Sequence, residues 1–366
     1  MKEGAGRVFV VTDQVIRGTG LIDKVEAGLT DGGLELAGVF DEVPQDSSTT
    51  VVSRCAEAAK EAGADSFLGV VGGSVMDTAK VANAVFTHGG SARELEGIFL
   101  MPREGDGMGR PLDVAPLACV PTTAGTGSEV SMAAVIRDEE AKVKLEICDF
   151  PLFPRLAVLD PESTRTLPPQ VAAATGMDAM THAIEGYVST EWSAHQDARS
   201  LQALRLIRDN LERAVENGPD DDEARGNMLV AASLAITINL GSTHAMSHPA
   251  GAHFRVPHGV ANAINLPHVI RFNAAGGRHI ADRYRDVGEL LGVESGGSDE
   301  AMGDALATHV SELVTRLGLP TRLSEVGVPE EGIPTLVEGA MGDATTLLNP
   351  REPTEEDYAE LFRRAM

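Results

Sequence analysis

Short apolar runs alternate with helical stretches through the first 160 residues. Runs rich in Val, Leu and Ile predict strands at 7–13, 36–43, 66–72 and 117–121. Between them, apolar residues recur at helical spacing, which predicts helices at 50–62 and 75–86. Further strands are predicted at 135–147 and 155–160, linked by a loop that carries proline. This alternation is typical of a parallel sheet whose strands are joined by crossover helices.

The pattern changes after residue 160. Long stretches rich in Ala, Leu, Arg and Glu follow, and runs typical of strands nearly vanish. Helices are predicted at 169–189, 195–217, 221–240, 244–252, 278–291 and 299–317. With 366 residues, the chain exceeds the size at which one hydrophobic core usually keeps growing. We therefore predict an α/β domain over residues 1–160 and an all-helical domain over 161–366.

Composition and charge narrow the range of partners. Hydrophobic residues make up 43% of the chain and charged residues 23%, as in an ordinary globular protein. Lys and Arg number 30 against 55 Asp and Glu, and the net charge of −25 would repel nucleic acid and anionic membranes. We therefore expect neither of them as a partner.

Two features of the sequence bear on the compartment. No apolar run approaches the roughly 20 residues needed to cross a bilayer, and the first residues carry no cleavable signal pattern. Cys55, Cys119 and Cys148 lie far apart and outside any C-x-x-C spacing, so we expect neither a disulfide framework nor a thiolate zinc site. These features predict a cytoplasmic protein.

One carboxylate and four histidines have the spacing of a metal site. Asp178 and His182 lie four residues apart in a predicted helix, so both side chains project from one face. His244, His248 and His258 follow within fifteen residues of one another. A carboxylate oxygen with imidazole nitrogens suits Fe(II) or Zn(II). Chance pairing of a helical Asp with a core or surface His is the alternative, and the spacing does not say which histidine is spare.

A glycine-rich turn follows the third predicted strand. The full G-x-G-x-x-G fingerprint is missing, but the sequence VVGGSVMDTAK at 70–80 runs from a strand through Gly72, Gly73 and Ser74 into a helix. Backbone N–H groups at a helix N-terminus bind a pyrophosphate well, and glycine lets it approach closely. An ordinary turn from strand to helix fits the same residues.

Two more positions bear on nucleotide binding. A hydroxyl-rich loop, PTTAGTGSE at 121–129, follows another predicted strand, and loops at the carboxyl ends of parallel strands line the ligand crevice. Asp13 ends the first predicted strand. A carboxylate there can bind a ribose diol and repel a 2′-phosphate, which favours NAD over NADP, or it can simply cap the loop.

Taken together, these motifs resemble the iron-containing (group III) alcohol dehydrogenases, particularly their lactaldehyde reductase (1,2-propanediol oxidoreductase) branch. The resemblance covers nearly the whole chain. It rests on VVTD ending at Asp13, GGSVMDTAK at 72–80, PTTAGTGSEV at 121–130, ATGMDAMTHAIEGY at 174–187 and HAMSHPAGAHFRVPHGVANAINLPHV at 244–269. The last two are highly specific.

The resemblance implies a fold and an activity. The fold is a Rossmann-like N-terminal domain followed by an all-α C-terminal domain, which is also the fold of dehydroquinate synthase. The activity is oxidation of small primary alcohols or diols, or reduction of aldehydes, by hydride transfer with NAD(H), with Fe(II) or else Zn(II) as Lewis acid. A homodimer is implied as well. Maleylacetate reductases, dehydroquinate synthase-like lyases and a non-catalytic assembly protein of the same fold are the alternatives.

The resemblance also assigns residues. It makes Asp178, His182, His244 and His258 the metal ligands and places His248 beside the nicotinamide as a proton-relay or orienting residue. The implied cofactor contacts are Asp13, Gly72, Gly73, Ser74, Asp77, Thr122, Thr126 and Lys144. The chain departs from the family pattern at Val71, where a third glycine is usual, and in the opening segment, where a strand, turn and helix are missing.

Overall fold

The computed structural model describes residues 5–44, 46–105, 109–294 and 297–366. The chain forms two compact units, one of Met1–Thr123 with Gly127–Thr166 and one of Ala124–Thr126 with Leu167–Met366. The predicted domain boundary after residue 160 stays a prediction. The combination of a parallel-sheet unit and a helical unit confirms the predicted fold class.

The first unit is built on a five-stranded parallel sheet with strand order β2-β1-β3-β5-β8. A three-stranded sheet of order β4-β7-β6 lies in the same unit. The strands are β1 Arg7–Val11, β2 Glu35–Phe40, β3 Ser66–Val71, β4 Gly97–Ile98, β5 Leu117–Pro121, β6 Ala133–Asp138, β7 Val143–Cys148 and β8 Leu156–Ala157. The helices are α1 Gln14–Gly18, α2 Leu21–Asp31, α3 Thr49–Glu61 and α4 Gly73–His88.

Burial explains why the central strands read as continuous apolar runs. Every residue of β3 is buried, as expected for a parallel strand covered on both faces. Helices α3 and α4 contribute apolar faces to the same core, with Val52 and Met76 fully buried. The phenyl rings of Phe9 and Phe67 meet edge to face within that core, at a centroid distance of 5.9 Å.

The stretch 135–147, predicted as continuous strand, is a hairpin instead. Strands β6 and β7 pair antiparallel, with Asp138 opposite Val143. The turn forms because the Asp138 carboxylate accepts hydrogen bonds from the backbone N–H groups of Glu140 and Ala141, each at 3.0 Å. Lys142 completes the turn in the left-handed region with φ 57°. Of the strand predicted at 155–160, only the two residues of β8 form a strand.

The second unit is helical throughout its described residues. Its helices are α5 Pro169–Val188, α6 Ala194–Glu216, α7 Asp222–Ala235, α8 Ser242–Phe254, α9 His258–Ala274, α10 Arg278–Leu291, α11 Asp299–Arg316, α12 Ile333–Gly342 and α13 Glu355–Ala365. Short 3₁₀ turns lie between α6 and α7, between α11 and α12, and between α12 and α13. Within the described ranges, none of the helices in either unit has the length and apolar character needed to span a membrane.

The helix predicted at 221–240 ends early, and this matters for the site. Helix α7 stops at Ala235, and Ile236 takes up an extended ψ of 133°. Past it, the Thr237 hydroxyl accepts a hydrogen bond from the Asn239 N–H at 2.9 Å, a local bond that competes with helix formation. The chain therefore leaves the helix and re-enters one at Ser242, close to His244.

Candidate metal centre and nucleotide loops

Helix α5 carries the first two residues of the predicted metal site. It begins at Pro169, where a proline is well tolerated because the first helical N–H has no partner in any case. Asp178 and His182 lie one turn apart on its buried face, with Asp178 Oδ1 and His182 Nδ1 3.8 Å apart. The helical spacing thus brings a carboxylate and an imidazole together in a low-dielectric interior.

Two further helices bring imidazoles to the same carboxylate. His244 lies in the first turn of α8, with its Nε2 3.9 Å from Asp178 Oδ1. His258 is the first residue of α9, with its Nε2 3.5 Å from the same oxygen. Ligand atoms of Asp178, His182 and His244 all lie within 4.8 Å of one another. His244 and His182 are buried, whereas 42% of the His258 side chain is exposed.

A glycine allows α9 to start where it does. A Cβ on Gly259 would lie 2.2 Å from the backbone oxygen of Ala174 in α5. The contact is with backbone, so a side chain could be accommodated only if one of the two helices moved. Gly259 therefore lets the first turn of α9 approach α5 closely enough to place His258 beside Asp178.

Asn262 lies at the centre of this cluster. Its side-chain Nδ2 donates to Asp178 Oδ1 at 2.8 Å and lies 3.3 Å from His244 Nε2 and 3.2 Å from His258 Nε2. Asn262 is one turn along α9 from His258, so the helix that provides an imidazole also provides this amide. The amide orients the Asp178 carboxylate toward the imidazoles.

His244 is held from its other side by a buried carboxylate. The Nδ1 atom of His244 lies 2.6 Å from Glu185 Oε2. The same Glu185 side chain accepts hydrogen bonds from the backbone N–H groups of Gly241 at 2.9 Å and Thr243 at 2.6 Å. Glu185 comes from α5, one turn beyond His182.

His248 stands one turn further along α8 and has a carboxylate partner of its own. Its Nδ1 lies 2.6 Å from Asp343 Oδ2, and Asp343 also accepts from the backbone N–H and hydroxyl of Thr345. The His248 ring stacks on that of His258 at a centroid distance of 5.5 Å. The structure thus places His248 beside the cluster, but it puts no direct contact between His248 and Asp178.

The electrostatics favour neutral rings at His244 and His258 and an ionised carboxylate at Asp178. Burial lowers the pKa of His244 well below its usual value, and the protein around the less buried His258 ring also lowers the pKa of His258. Burial opposes ionisation of Asp178, but its pKa is lowered, and the hydrogen bond from the Asn262 amide is one cause that does not require a charged imidazole. These are the protonation states that metal ligands need.

The cluster has the donor set of a transition-metal site. One carboxylate oxygen and three imidazole nitrogens converge, which suits Fe(II) or Zn(II). Among the described residues, the buried Nδ1 of His182 has no hydrogen-bond partner, and a buried imidazole nitrogen is rarely left so. A divalent ion bound to this atom would satisfy it, so the residues present fit the metal.

The glycine-rich turn at 72–74 lies in the first unit, at the start of α4. Gly72 is the N-cap, and Gly73 and Ser74 form the first turn, so backbone N–H groups point out of the helix end. A Cβ on Gly72 would come 3.2 Å from the Thr123 hydroxyl. Val71, at the position where the family usually has glycine, is the buried last residue of β3 and pairs with Pro121.

Asp77 and Lys144 have protein partners of their own. Asp77 Oδ1 accepts from the Ser128 hydroxyl at 2.7 Å and Oδ2 from the Val135 N–H at 3.0 Å. Lys144 Nζ lies 3.5 Å from Asp46 Oδ1. Burial raises the pKa of Asp77, while the charges of Lys80 and Lys144 act against that rise. Their predicted role as cofactor contacts stays a prediction.

The remaining predicted cofactor residues are distributed over both units. Asp13 caps α1 by accepting from the Ile16 N–H at 2.7 Å, which is the capping role that the sequence left open. Thr122 is buried, and its N–H donates to Val71 O at 3.2 Å. Thr126 belongs to the second unit, where its neighbour Gly125 packs so closely on α5 that a Cβ would lie 2.8 Å from Thr175 O.

Sequence profiles decide the family. Residues 172–366 match the C-terminal part of the Fe-containing alcohol dehydrogenase family, and residues 1–161 match iron-containing alcohol dehydrogenase. The chain belongs to the iron-containing alcohol dehydrogenase family. The resemblance inferred from the motifs is thereby confirmed.

Individual iron-containing alcohol dehydrogenases align along nearly the whole chain. NAD-dependent methanol dehydrogenase of Bacillus methanolicus is 35% identical over 368 residues, covering 99% of this chain and 93% of that protein. Lactaldehyde reductase of Escherichia coli strain K12 is 36% identical over 368 residues, covering 100% of this chain and 93% of that protein. The crystal structure of a 1,3-propanediol oxidoreductase superposes with a TM-score of 0.92 at 34% identity, covering 99% of this chain and 92% of that one.

Three residues around the centre of this family member were not identified from its sequence. Glu185 carried a signal, because it stands three residues after His182 and therefore on nearly the same face of α5. Asn262 also carried one, four residues after His258. Asp343 carried none, because it lies 95 residues from His248 in the chain.

Proposed function

We propose that this iron-containing alcohol dehydrogenase interconverts small primary alcohols, diols or hydroxyaldehydes with their oxidised or reduced partners, using NAD(H) and a divalent metal. The observation that carries the proposal is that ring nitrogens of His182, His244 and His258 all lie within 3.9 Å of Asp178 Oδ1. Ligand atoms of Asp178, His182 and His244 lie within 4.8 Å of one another. We assign Asp178, His182, His244 and His258 as the metal ligands. Fe(II) is the expected ion, with Zn(II) as the second choice.

A divalent metal ion and NAD(H) would supply the chemistry that amino acid side chains lack. A divalent ion bound there would polarise the substrate oxygen as a Lewis acid, and bound NAD(H) would accept or supply the hydride. The chain's own residues orient the ligands and exclude water. Asn262 and Glu185 hold the Asp178 carboxylate and the His244 ring in place, and the buried walls keep water away from the inner ligands.

We assign proton movement to His248. Its Nδ1 is bound to Asp343, so its Nε2 is the nitrogen left free to exchange a proton with the substrate hydroxyl or a water. Burial opposes ionisation of Asp343, but the His248 and Thr345 hydrogen bonds prevail and hold the pKa of this carboxyl at about 2. Asp343 is therefore a constant acceptor for His248 at neutral pH.

We assign nucleotide binding to the loops of the first unit. The N-terminus of α4 at Gly72, Gly73 and Ser74 suits a pyrophosphate, because backbone N–H groups and the positive end of the helix dipole face it. The proposed further contacts are Asp13, Asp77, Thr122, Thr126 and Lys144. The carboxylate of Asp13 supports a preference for NAD over NADP. We also propose a homodimer, by resemblance to the family, and a cytoplasmic location, from the features of the sequence.

The proposal is tested by removing and restoring the metal. We expect protein depleted with a chelator to lose turnover, and added Fe(II) or Zn(II) to restore it. Turnover is followed as loss of NADH absorbance over a panel of short aldehydes, hydroxyaldehydes and oxo acids. A His244→Ala variant should lose the bound metal, whereas His253→Ala, at an exposed position on the same helix, should keep it.

Three results would count against this function. Unchanged turnover in metal-free protein would remove the role of the metal. Turnover of a substrate without net NADH change would favour a lyase of the dehydroquinate synthase type. Failure to bind both the metal and NAD in calorimetry would favour a non-catalytic protein of the same fold.

A further inference from the structure

We propose that Glu185 is a positioning residue of the metal centre, which fixes the His244 tautomer and the start of α8 in one arrangement. The inference rests on the proposed function, since it concerns how tightly that centre holds its ion. Glu185 is buried, and its hydrogen bonds join it to Gly241, Thr243 and His244, at the start of α8.

The contacts of Glu185 determine the direction of each hydrogen bond. Oε1 accepts from the Thr243 N–H at 2.6 Å, and Oε2 accepts from the Gly241 N–H at 2.9 Å. Backbone N–H groups can only donate, so both oxygens serve as acceptors. Oε2 also lies 2.6 Å from His244 Nδ1. An ionised Glu185 can only accept, so with Glu185 ionised the proton of that bond is on Nδ1 and the lone pair of the neutral ring is on Nε2.

The tautomer decides whether His244 can act as a ligand. Nε2 is the nitrogen that faces Asp178 Oδ1 at 3.9 Å. A ring with its proton on Nε2 would present N–H to the metal position and could not donate a lone pair there. Carboxylates that fix histidine ligands in this way are common around metal ions and raise the basicity of the ring.

The same carboxylate fixes the helix that carries His244. Gly241 is the N-cap of α8, and the Gly241 and Thr243 N–H groups at the helix start donate to Glu185 rather than to a side chain of the cap itself. A Cβ on Gly241 would lie 2.9 Å from Asn349 Oδ1 and 3.3 Å from Glu185 Oε1, so glycine lets the backbone pass close to both side chains. Ring orientation and helix position thus depend on one group.

Helix α5 therefore provides three functional side chains from one face. Asp178 and His182 are assigned as ligands, and Glu185 lies a further turn along and supports the third ligand on another helix. The spacing of four and then three residues keeps all three on one side of α5. A shift of α5 would thus move two ligands and the support of the third together.

Replacing Glu185 by the isosteric glutamine tests the inference. The glutamine amide has an NH₂ group in place of one carboxylate oxygen. In one orientation this NH₂ group faces the Thr243 N–H. In the other orientation it faces the Gly241 N–H and His244 Nδ1. In the second orientation the NH₂ group donates to Nδ1, so the proton of the neutral His244 ring moves to Nε2. Glu185→Asp keeps the charge but withdraws the oxygens from His244 by one methylene, so it separates positioning from simple charge loss.

The matched control acts on the same helix end without touching His244. Asn349 Oδ1 accepts from the Ser242 N–H at 3.1 Å, and Asn349 Nδ2 donates to Asn273 Oδ1 at 2.7 Å. Glu185→Gln replaces a buried carboxylate by an amide, and Asn349→Asp replaces a buried amide by a carboxylate. It should lower the thermal midpoint of the apoprotein as a buried polar substitution does, without changing metal affinity.

Cobalt(II) is the probe, titrated into full-length apoprotein by calorimetry and by its visible absorption. We expect both Glu185→Gln and Glu185→Asp to bind cobalt about 10-fold to 100-fold more weakly than the parent, with an altered visible spectrum. We expect Asn349→Asp to match the parent in both readouts. If Glu185→Gln does not fold, Glu185→Asp alone carries the comparison.

The outcomes are distinguishable. A parent chain that binds no cobalt contradicts the proposed function itself. A parent that binds cobalt while both Glu185 variants match its affinity and spectrum overturns this inference and leaves the function intact. Weak binding in Glu185→Gln with parental binding in Glu185→Asp shows that charge alone acts, which also overturns positioning. An equal loss of cobalt affinity in Asn349→Asp would show that the effect comes from the stability of the start of α8, which would also overturn the inference.

Discussion

Two histidines one turn apart on α8 have the same kind of partner but different surroundings. Both His244 and His248 meet a carboxylate oxygen through Nδ1, in each case at 2.6 Å. His244 is buried and directs its other nitrogen to Asp178, whereas the His248 side chain is 32% exposed and its ring stacks on that of His258. The same pairing therefore prepares one ring to bind an ion and leaves the other open to exchange protons.

This difference predicts separate effects on metal content and rate. We expect His248→Gln to keep the metal content of the parent but to lower kcat by about 100-fold, the lower end of what a general acid or base contributes. Glutamine keeps a polar side chain of similar length, so the stability of the helix should change little. Metal content is measured by elemental analysis and kcat by NADH oxidation.

His253 on the same helix provides the control. It is exposed and follows His248 by five residues, so His253→Gln should leave both metal content and kcat as in the parent. Loss of metal in His248→Gln would show instead that His248 is a ligand. Parental kcat in that variant would remove it from proton transfer.

At the scale of elements, the centre depends on how closely α9 packs on α5. We expect Gly259→Ala to reduce metal affinity and to lower the free energy of unfolding by about 1–3 kcal/mol, as overpacking does. The cause is the contact between the new Cβ and Ala174 O, which would be only 2.2 Å long. Cobalt titration and urea unfolding measure the two effects.

Gly251→Ala on α8 is the matched helical control. A Cβ there would meet its nearest atom, Val256 O, at 3.5 Å, which is an ordinary van der Waals distance. Alanine is also the better helix former, so this variant should equal the parent in stability or exceed it. If Gly259→Ala behaved in the same way, the close approach of α9 to α5 would not be what places His258.

The β6–β7 hairpin carries a prediction about pH. Asp138 closes its turn and also binds Arg93, with Nη2 at 2.8 Å from Asp138 Oδ1. The Arg93 hydrogen bond, supported by the backbone N–H groups, lowers the pKa of Asp138 to about 2. We expect Asp138→Asn to lower the free energy of unfolding at neutral pH, because it removes a charged acceptor of four hydrogen bonds.

The sign of the pH effect follows from the depressed pKa. The folded state binds this proton only near pH 2, whereas an unfolded Asp binds it near pH 4, so the stabilisation is present above about pH 4 and is lost below it. The deficit of Asp138→Asn against the parent should therefore shrink as pH falls from about 4 toward 2. Urea unfolding over this range measures it, with Glu140→Gln, at an exposed partner of Arg93, as a control that changes little. A deficit independent of pH would contradict the ionic origin.

Over the whole molecule, periodicity predicted some helices with a polar side, such as α10, but it missed α2 and α13, which have one as well. Helix α10 was predicted with its bounds at 278–291, and its apolar residues indeed face the core while charged ones face outward. Helix α9 was not predicted, because it is buried over most of its length and contains Pro267, so neither an amphipathic pattern nor an unbroken helical sequence marked it. The hairpin at 133–148 has a turn residue, Asp138, whose side chain also binds Arg93, which lies 45 residues earlier in the chain.

The site shows a similar division. Residues spaced by one helical turn, such as Asp178 and His182, were recognisable from the sequence because local geometry alone brings them together. The choice among the histidines came from the family motif rather than from spacing. The pair of His248 and Asp343 could not be predicted, since packing of distant helices creates it and no local pattern records it.

Protein contacts orient three parts of the ligand cluster. Glu185 holds His244, Asn262 holds the Asp178 carboxylate, and the backbone contact at Gly259 holds the start of α9. The affinities of one site of nitrogen and oxygen donors for the first-row divalent ions follow an order that depends mainly on the ions. Which ion a molecule carries is then decided by the supply in the cell that made it, and the same chain grown on zinc-rich or iron-rich medium should yield two differently loaded enzymes.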